Sequence, residues 1–375
     1  MPRGDGVSRG ARRSRAHAEP RAASCRGARA DSAPGNAYHP ARERMRALKW
    51  SARIAVGLVL VLWFVWTVGT VYYSNLSSER LRAALAAGYA LLAVLLLARV
   101  RPLRRGLALA FGVSLVIALV YWLVPASNAR TWLPDVAVAP TIGIDGGHVT
   151  VHGVRNFRYR SESDFDAHWE DRSYDLAQLR GVDLVMSYWG PTDYCHTFVS
   201  FGFANGDQLA VSVETRKEVG EEYSMFGGLF KRYELVYVYG DERDLIGVRA
   251  RLRGEHVYLY HVRAGPQRLR ELFLSYAEFA NGLAREPQFY GVLRNSCGIN
   301  ILNRVAETGE MALVGRDALL NGTWDRYLYE HGAIDTSLPF EVLREKSLID
   351  ARAQEAGDAP DFSRRIRAGL PGPPR

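Results

Sequence analysis

Cys297 and His196 are the residues of this 375-residue chain whose types and surroundings suit nucleophilic chemistry. Cys297 opens an amphipathic stretch, Cys297, Ile299, Ile301, Leu302 and Val305, just after Leu293-Arg294-Asn295-Ser296. That spacing predicts a helix over 297–305 with the thiol in its first turn. Unsatisfied amides and the positive end of the helix dipole lower a thiol pKa at that place. His196 lies about a hundred residues earlier, at the head of the alternating run His196-Thr197-Phe198-Val199-Ser200-Phe201-Gly202-Phe203. A thiolate nucleophile and an imidazole base are the working parts of a cysteine acyl-transfer site.

The elements that must position this pair follow from periodicity. Alternation predicts strands over 148–154, 183–188, 197–203, 208–214, 233–239 and 257–262. Helical spacing of Leu269, Leu272, Phe273, Tyr276, Phe279, Ala280 and Leu283 predicts a helix over 266–284, with Pro266 suited to its first turn. Strands precede helices in blocks, which predicts an α+β fold with a mostly antiparallel sheet and packed helices. Ala204-Asn205-Gly206-Asp207 reads as a hairpin turn. A three-residue loop centred on Gly206 sets His196 against Arg216 and Phe198 against Glu214, leaving Glu214 on the His196 face. A two-residue loop turns Glu214 to the other face. Glu214 and Arg216 are thus the candidates to orient the histidine, their plain alternative being an ordinary surface ion pair. Tyr188, Trp189 and Tyr194 precede His196 and suit an apolar wall for a lipid chain, or a stretch of core.

Cys195 points away from the face that His196 serves, because side chains alternate along a strand. It reads as core. A Cys195–Cys297 disulfide in an oxidising compartment is the alternative, and it would abolish the proposed chemistry. Cys25 lies in the N-terminal tail. Three cysteines without CxxC spacing argue against a disulfide framework or a zinc site. His256 and His261 flank one strand with no third ligand nearby, so no metal or other cofactor is expected. The acidic group Glu218, Glu221 and Glu222 reads as a solvated loop.

The net charge of +8 is unevenly spread. Residues 1–44 hold ten arginines against four carboxylates, and Arg46, Lys49 and Arg53 follow, so the rest of the chain is close to neutral. This excludes a basic nucleic-acid groove in the folded part. Residues 1–44 read as a disordered basic tail, with Met45 as an alternative start. Residues 45–125 read as a three-helix anchor. Its apolar runs are Ile54 to Tyr73, Ala83 to Ala98 and Gly106 to Val124. Basic residues cluster before the first run and between the second and third, which places those ends in the cytoplasm and everything after Val124 outside. Were the second run only a buried helix, the domain would lie inside. Residues 126–345 then read as a periplasmic domain, and 346–375 as a flexible tail rich in Ala, Pro, Gly and Arg.

Several stretches carry a family resemblance: Asn156-Phe157-Arg158-Tyr159-Arg160, Trp169-Glu170-Asp171-Arg172, Ser187-Tyr188-Trp189-Gly190, His196, Ser200-Phe201, Glu214-Thr215-Arg216-Lys217-Glu218 and Gly220-Glu221-Glu222-Tyr223. Together they resemble the Lnb N-terminal periplasmic domain family, over about residues 130–310. The family's known activity is intramolecular transacylation of lipoproteins. The resemblance therefore implies a Cys/His thiol acyl-transfer site at the membrane surface, in a permuted papain-like (NlpC/P60-like) core. It marks Cys297 and His196, and adds Ser200 and Asn300 as supporting polar residues. Where the family commonly has Asn-Cys-Thr-Thr-Asn, this chain has Ser296-Cys297-Gly298-Ile299-Asn300.

The expected function is a membrane-anchored, periplasmic thiol-dependent acyltransferase or hydrolase of the bacterial inner membrane. Its catalytic residues would be Cys297, His196 and Glu214. Arg216, Asn300, Ser200, Tyr188 and Trp189 would orient the site or bind substrate, and the partner would be a lipoprotein or membrane lipid. The competing expectations are a thiol peptidase or amidase on peptidoglycan and a non-catalytic envelope scaffold.

Overall fold

The computed structural model describes residues 40–76, 78–190, 194–309 and 320–372. The tail predicted over residues 1–44 lies mostly outside them, Cys25 included. The chain forms two compact units, 1–59 and 60–375, with the division inside the first helix. That helix, α1 (Pro40–Tyr72), is followed by α2 (Glu79–Arg99) and α3 (Leu103–Leu123). All three are long and apolar enough to cross a membrane. The second is 21 residues, longer than its uncharged run, because Arg82 and Arg99 lie within its ends.

Helices α2 and α3 present buried stripes at three- or four-residue spacing: Arg82, Ala86, Tyr89 and Ala93 on one, Gly106, Ala110, Ser114 and Ala118 on the other. Small residues let backbones approach where no hydrophobic effect drives association. Gly106 is required, since a Cβ there would sit 2.5 Å from the Leu96 carbonyl oxygen.

The outer part is α+β, built on a mixed sheet. Its strands are β1 (Thr141–Asp145), β2 (His148–Arg155), β5 (Trp169–Asp175), β6 (Leu179–Tyr188), β7 (His196–Phe203), β8 (Gln208–Arg216), β9 (Glu234–Gly240) and β10 (His256–Val262). A two-stranded pair, β3 (Arg158–Tyr159) and β4 (Phe165–Asp166), stands apart. The order is β1-β2-β9-β8-β7-β6-β10, with β5 also on β2. Pairing is antiparallel, as expected for most of the sheet, except where β2 meets β9 in parallel at Arg155 and Gly240, which makes the sheet mixed. Gly240 permits that approach: a Cβ there would lie 3.1 Å from the Arg155 carbonyl oxygen.

One sheet face packs on α5 (Pro266–Arg285) and α6 (Cys297–Glu307) through Val199, Phe201, Val211, Val213, Phe273 and Tyr276. The other face packs on α4 (Glu242–Gly247) and later helices through Phe198, Ala210, Val236, Leu245 and Ile246. Among the described residues the remaining α-helices are α7 (Trp324–Glu330), α8 (Phe340–Ser347), α9 (Asp350–Ala356) and α10 (Phe362–Ile366).

Two sequence expectations fail here. The hairpin pairs Val199 with Val211 and Gly202 with Gln208. This register is neither of the two predicted. The loop is Ala204-Asn205-Gly206, with Gly206 last, and its φ of +90° suits the left-handed closing position of such loops. The C-terminal stretch, expected to be flexible, is packed through residue 372. Its composition hides helical spacing: Ile349, Ala353 and Ala356, then Phe362 and Ile366, are all buried.

Arg367 locks that stretch in place. Its guanidinium donates to Asp183 of β6 at 2.7 Å and to Glu242 of α4 at 2.6 Å, both carboxylates being buried. Removing one partner of a buried pair typically costs about 3–5 kcal/mol, because the other charge is stranded. Arg367→Met is therefore expected to lower unfolding stability by about that amount, read as a reduced thermal midpoint of the full chain in nanodiscs. An unchanged midpoint would refute the lock.

Candidate functional site

The turn before Cys297 is held by its own polar side chains. The Asn295 side chain accepts from the Gly291 amide at 2.5 Å and donates to the Phe289 carbonyl at 2.9 Å. Asn300 reaches back from α6 to donate to the carbonyls of Asn295 (2.6 Å) and Ser296 (3.0 Å), and accepts from the Tyr237 hydroxyl at 3.0 Å. Ser296 is the N-cap, its hydroxyl accepting from the Ile299 amide. Capping of this kind fixes where a helix starts. Cys297 is thereby the first residue of α6. The amides of Ile299 and Asn300 are bound to Ser296, and those of Cys297 and Gly298 lie in the turn beside the thiol.

Gly298 explains part of the departure from the family motif. A Cβ there would lie 3.2 Å from the Trp324 ring and 3.3 Å from Asn321. Those two residues pack where a threonine side chain would stand. Asn321 in turn donates to the Cys195 carbonyl at 2.6 Å and approaches the Cys297 sulfur at 3.7 Å.

His196 begins β7. Its Nε2 lies 2.6 Å from the Ser212 hydroxyl and 3.3 Å from Glu214 Oε1. Ser212 donates to the same carboxylate oxygen at 2.6 Å, and Arg249 donates to it at 2.8 Å. With Nε2–H engaged this way, Nδ1 is the nitrogen left to take a thiol proton. His196 and Thr197 stand close enough to the Cys297 thiol to shift its pKa, and both His196 and Cys297 line one cleft.

Cys297 and His196 each shift the other toward its charged form. Burial pushes the Cys297 thiol up, but hydrogen bonding and charge from His196, aided by Thr197, outweigh it and leave the pKa below the ordinary thiol value. Burial pulls His196 down. The Glu214 charge and the bond to Cys297 overcome that and raise it to about 9. Glu214 is raised by burial but held well below the carboxylate range by His196 and Arg249.

Cys297, His196, Glu214, Arg249 and Asn321 line a cleft of about 310 Å³. Its walls include Trp189, Tyr194, Tyr223, Met225, Tyr290 and Val292, with Lys217, Arg253 and Glu255 among the charged residues. Trp189 is 57% exposed and Met225 49%, so the rim presents apolar surface to solvent.

The structure thus brings together Cys297, His196 and Glu214, with Trp189 on the wall. It does not bring in Arg216, Ser200 or Tyr188. Arg216 is buried against the carbonyls of Val136 and Ala137 and the Asn128 side chain, with its guanidinium over Trp132. It lies beyond the reach of His196 because the true register sets Glu214 there instead. Ser200 donates to Glu242, deep in the Arg367 lock. Tyr188 is core, donating to the Gly322 carbonyl, one position short of exposed Trp189. Asn300 shapes the turn and does not line the cleft. Cys195 is buried core, as expected, and both Cys195 and Cys297 are free thiols. Among the described residues no group of three or more His, Cys, Asp or Glu could hold a metal.

Sequence reasoning missed Ser212, Arg249, Thr197 and Asn321. Ser212 was recoverable, since two-residue parity places it on the Glu214 face. Arg249 comes from a π-helical turn, Val248–Leu252, that no periodicity announced.

The pH dependence of alkylation tests the pair. Cys297 is expected to react with iodoacetamide through its thiolate, at a rate that rises with pH to a midpoint below the ordinary thiol value. His196→Ala removes the forces that oppose burial, so the titration midpoint should move up past the ordinary thiol value. At pH 7 the rate should fall, because the thiolate fraction drops tenfold for each pKa unit of that rise. Superimposable pH profiles for wild type and variant would contradict the ion pair.

No curated protein and no solved structure matches the chain significantly. Residues 165–326, which contain His196, Ser212, Glu214 and Cys297, match the model of the Lnb N-terminal periplasmic domain family.

Proposed function

We propose that this protein is a membrane-anchored thiol-dependent acyltransferase or hydrolase, acting at the periplasmic face of the bacterial inner membrane on acyl groups of lipids or lipoproteins. The observation that carries this reading is a partly exposed thiol that shares an aromatic cleft with a histidine oriented by Ser212 and Glu214. A helix-borne cysteine beside a strand-borne histidine also supports a permuted papain-like reading of the core.

In this reading the Cys297 thiolate attacks the carbonyl carbon of an acyl ester. A carbon–sulfur bond forms, and the tetrahedral oxyanion faces the first amides of α6. As the carbon–oxygen bond breaks, the His196 imidazolium gives its proton to the departing alkoxide, which leaves as an alcohol. The acyl group is then a thioester on Cys297. An amine or water attacks it, passes a proton to His196, and the thiolate departs. Glu214 keeps the imidazole in the tautomer that serves the thiol and supports its charge. The anchor holds the enzyme beside membrane-borne substrate, which raises the effective concentration.

A peptidoglycan amidase would use the same thiol on a polar glycopeptide. The wall of Trp189, Tyr194, Tyr223, Met225 and Val292 favours an acyl chain instead. An envelope scaffold has no use for a thiol and an imidazole lining one cleft.

A water-soluble p-nitrophenyl ester of a medium-chain fatty acid tests the nucleophile. One equivalent of p-nitrophenol per protein is expected in a burst, leaving a hydroxylamine-labile acyl group on Cys297. Cys297→Ala should show no burst. His196→Ala should slow it roughly 10²–10⁴-fold, the usual contribution of a general acid–base group. A full burst from Cys297→Ala would end the proposal.

A further inference from the structure

A second and larger cavity, about 670 Å³, adjoins the cleft, within the ~300–1,000 Å³ typical of small-molecule sites. Tyr290 and Val292 line both. The segment carrying them is tied to the 227–231 loop: the Val292 amide donates to the Gly228 carbonyl at 2.9 Å. On one side the cavity is bounded by Asn300 and Asn303 of α6, the helix that begins at Cys297. On the other it is bounded by Trp66 of α1 and by Tyr121 and Trp122 of α3. Indole and phenol rings at the ends of apolar helices mark the membrane–water boundary.

The outer ends of α1 and α3 are fastened to this same loop. Lys231 donates to the carbonyls of Tyr121, Trp122 and Val124 at 3.0–3.2 Å, a cation on the last turn of α3. Arg232 donates to the Ser74 carbonyl just after α1 at 2.9 Å, and Phe230 stacks on Tyr73. The groove therefore starts at the bilayer surface and runs toward the thiol. Beside it stand exposed apolar side chains from two loops, Phe226 (67%) and Leu293 (66%). Exposed Arg294 stands at its rim. Apolar depth, polar amides along α6 and a cation at the rim complement a ligand with acyl chains and an anionic head.

We infer that this groove receives a glycerophospholipid from the outer leaflet, with its acyl chains between the outer ends of α1 and α3, its phosphate at Arg294, and its ester directed past Tyr290 and Val292 toward Cys297. Only the last step, delivery to the thiol, rests on the acyl-transfer reading.

Photo-crosslinking tests the groove apart from the chemistry. The full chain, wild type and Cys297→Ala, is placed in vesicles of phosphatidylethanolamine and phosphatidylglycerol that contain phosphatidylglycerol with a diazirine on one acyl chain. Crosslinks are expected in peptides spanning 228–231 and 288–295, equally in both proteins. Asn303→Trp fills the groove from an exposed position of α6, and Arg294→Glu reverses the rim charge. Each should reduce those crosslinks roughly tenfold, the scale of one charge-assisted hydrogen bond. Crosslinks confined to bilayer-facing residues such as Leu115 and Leu119, unaffected by either variant, would overturn the inference. So would groove labelling displaced by a soluble peptide but not by excess phospholipid. If the groove is labelled while Cys297 stays inert to the soluble ester, the acyl-transfer reading fails and the groove stands. If Cys297 is acylated without groove labelling, the groove fails and the chemistry stands.

Discussion

Side chains on antiparallel strands meet only in one register, and the site rests on the register of β7 against β8. Pairing of Val199 with Val211, continued along the strands, carries His196 toward Glu214. It leaves Ser212 beside the ring at 2.6 Å. A slip of two residues would set Arg216 there, a cation that opposes protonation of the imidazole. A slip of one would turn the carboxylate to the other face altogether. Gly206, at a φ that other residues rarely adopt, holds the loop that sets this register. The loop is far along the strands from His196, yet it decides what the histidine faces.

The second dependence is between burial and charge. A thiol in a closed pocket would normally stay protonated and inert. Here burial acts against the charged forms of Cys297, His196 and Glu214 alike, and mutual pairing overcomes it in all three. The charges stand or fall together. Arg249 completes the set: it neutralises Glu214 while its guanidinium lies over Phe198, so the carboxylate is held without drawing the proton from His196. The same economy joins the domain to its anchor, where Lys231 and Arg232 bind helix-end carbonyls and leave the groove between them open.

Much of this was legible in the sequence. The six alternating runs, the helix beginning at Pro266 and the helix beginning at Cys297 are where period-two and helical spacing put them. Cys297, His196 and Glu214 meet because each sits at an element end that local pattern defines. What was not legible depends on tertiary closure. Arg216 and Ser200 look like site residues on an alternating strand, but their partners, Val136 and Glu242, come from segments that pattern does not bring near. The C-terminal helices were hidden because an Ala-, Gly- and Arg-rich composition resembles a linker until Asp183 and Glu242 supply the partners that bury Arg367. Asn321 opens a short 3-10 turn, and it reaches the thiol where it and Trp324 lie against Gly298.

The central claim is that Cys297 takes an acyl group from a membrane-borne donor. It is tested most directly by incubating the full chain in vesicles whose phospholipids carry isotopically labelled acyl chains, then measuring the mass of the peptide containing Cys297 after acidic quench. The account predicts a labelled acyl adduct on that peptide, lost on treatment with neutral hydroxylamine and absent when His196 is replaced by alanine. An unmodified Cys297 peptide, with labelled acyl chains recovered only in lipid, would contradict it.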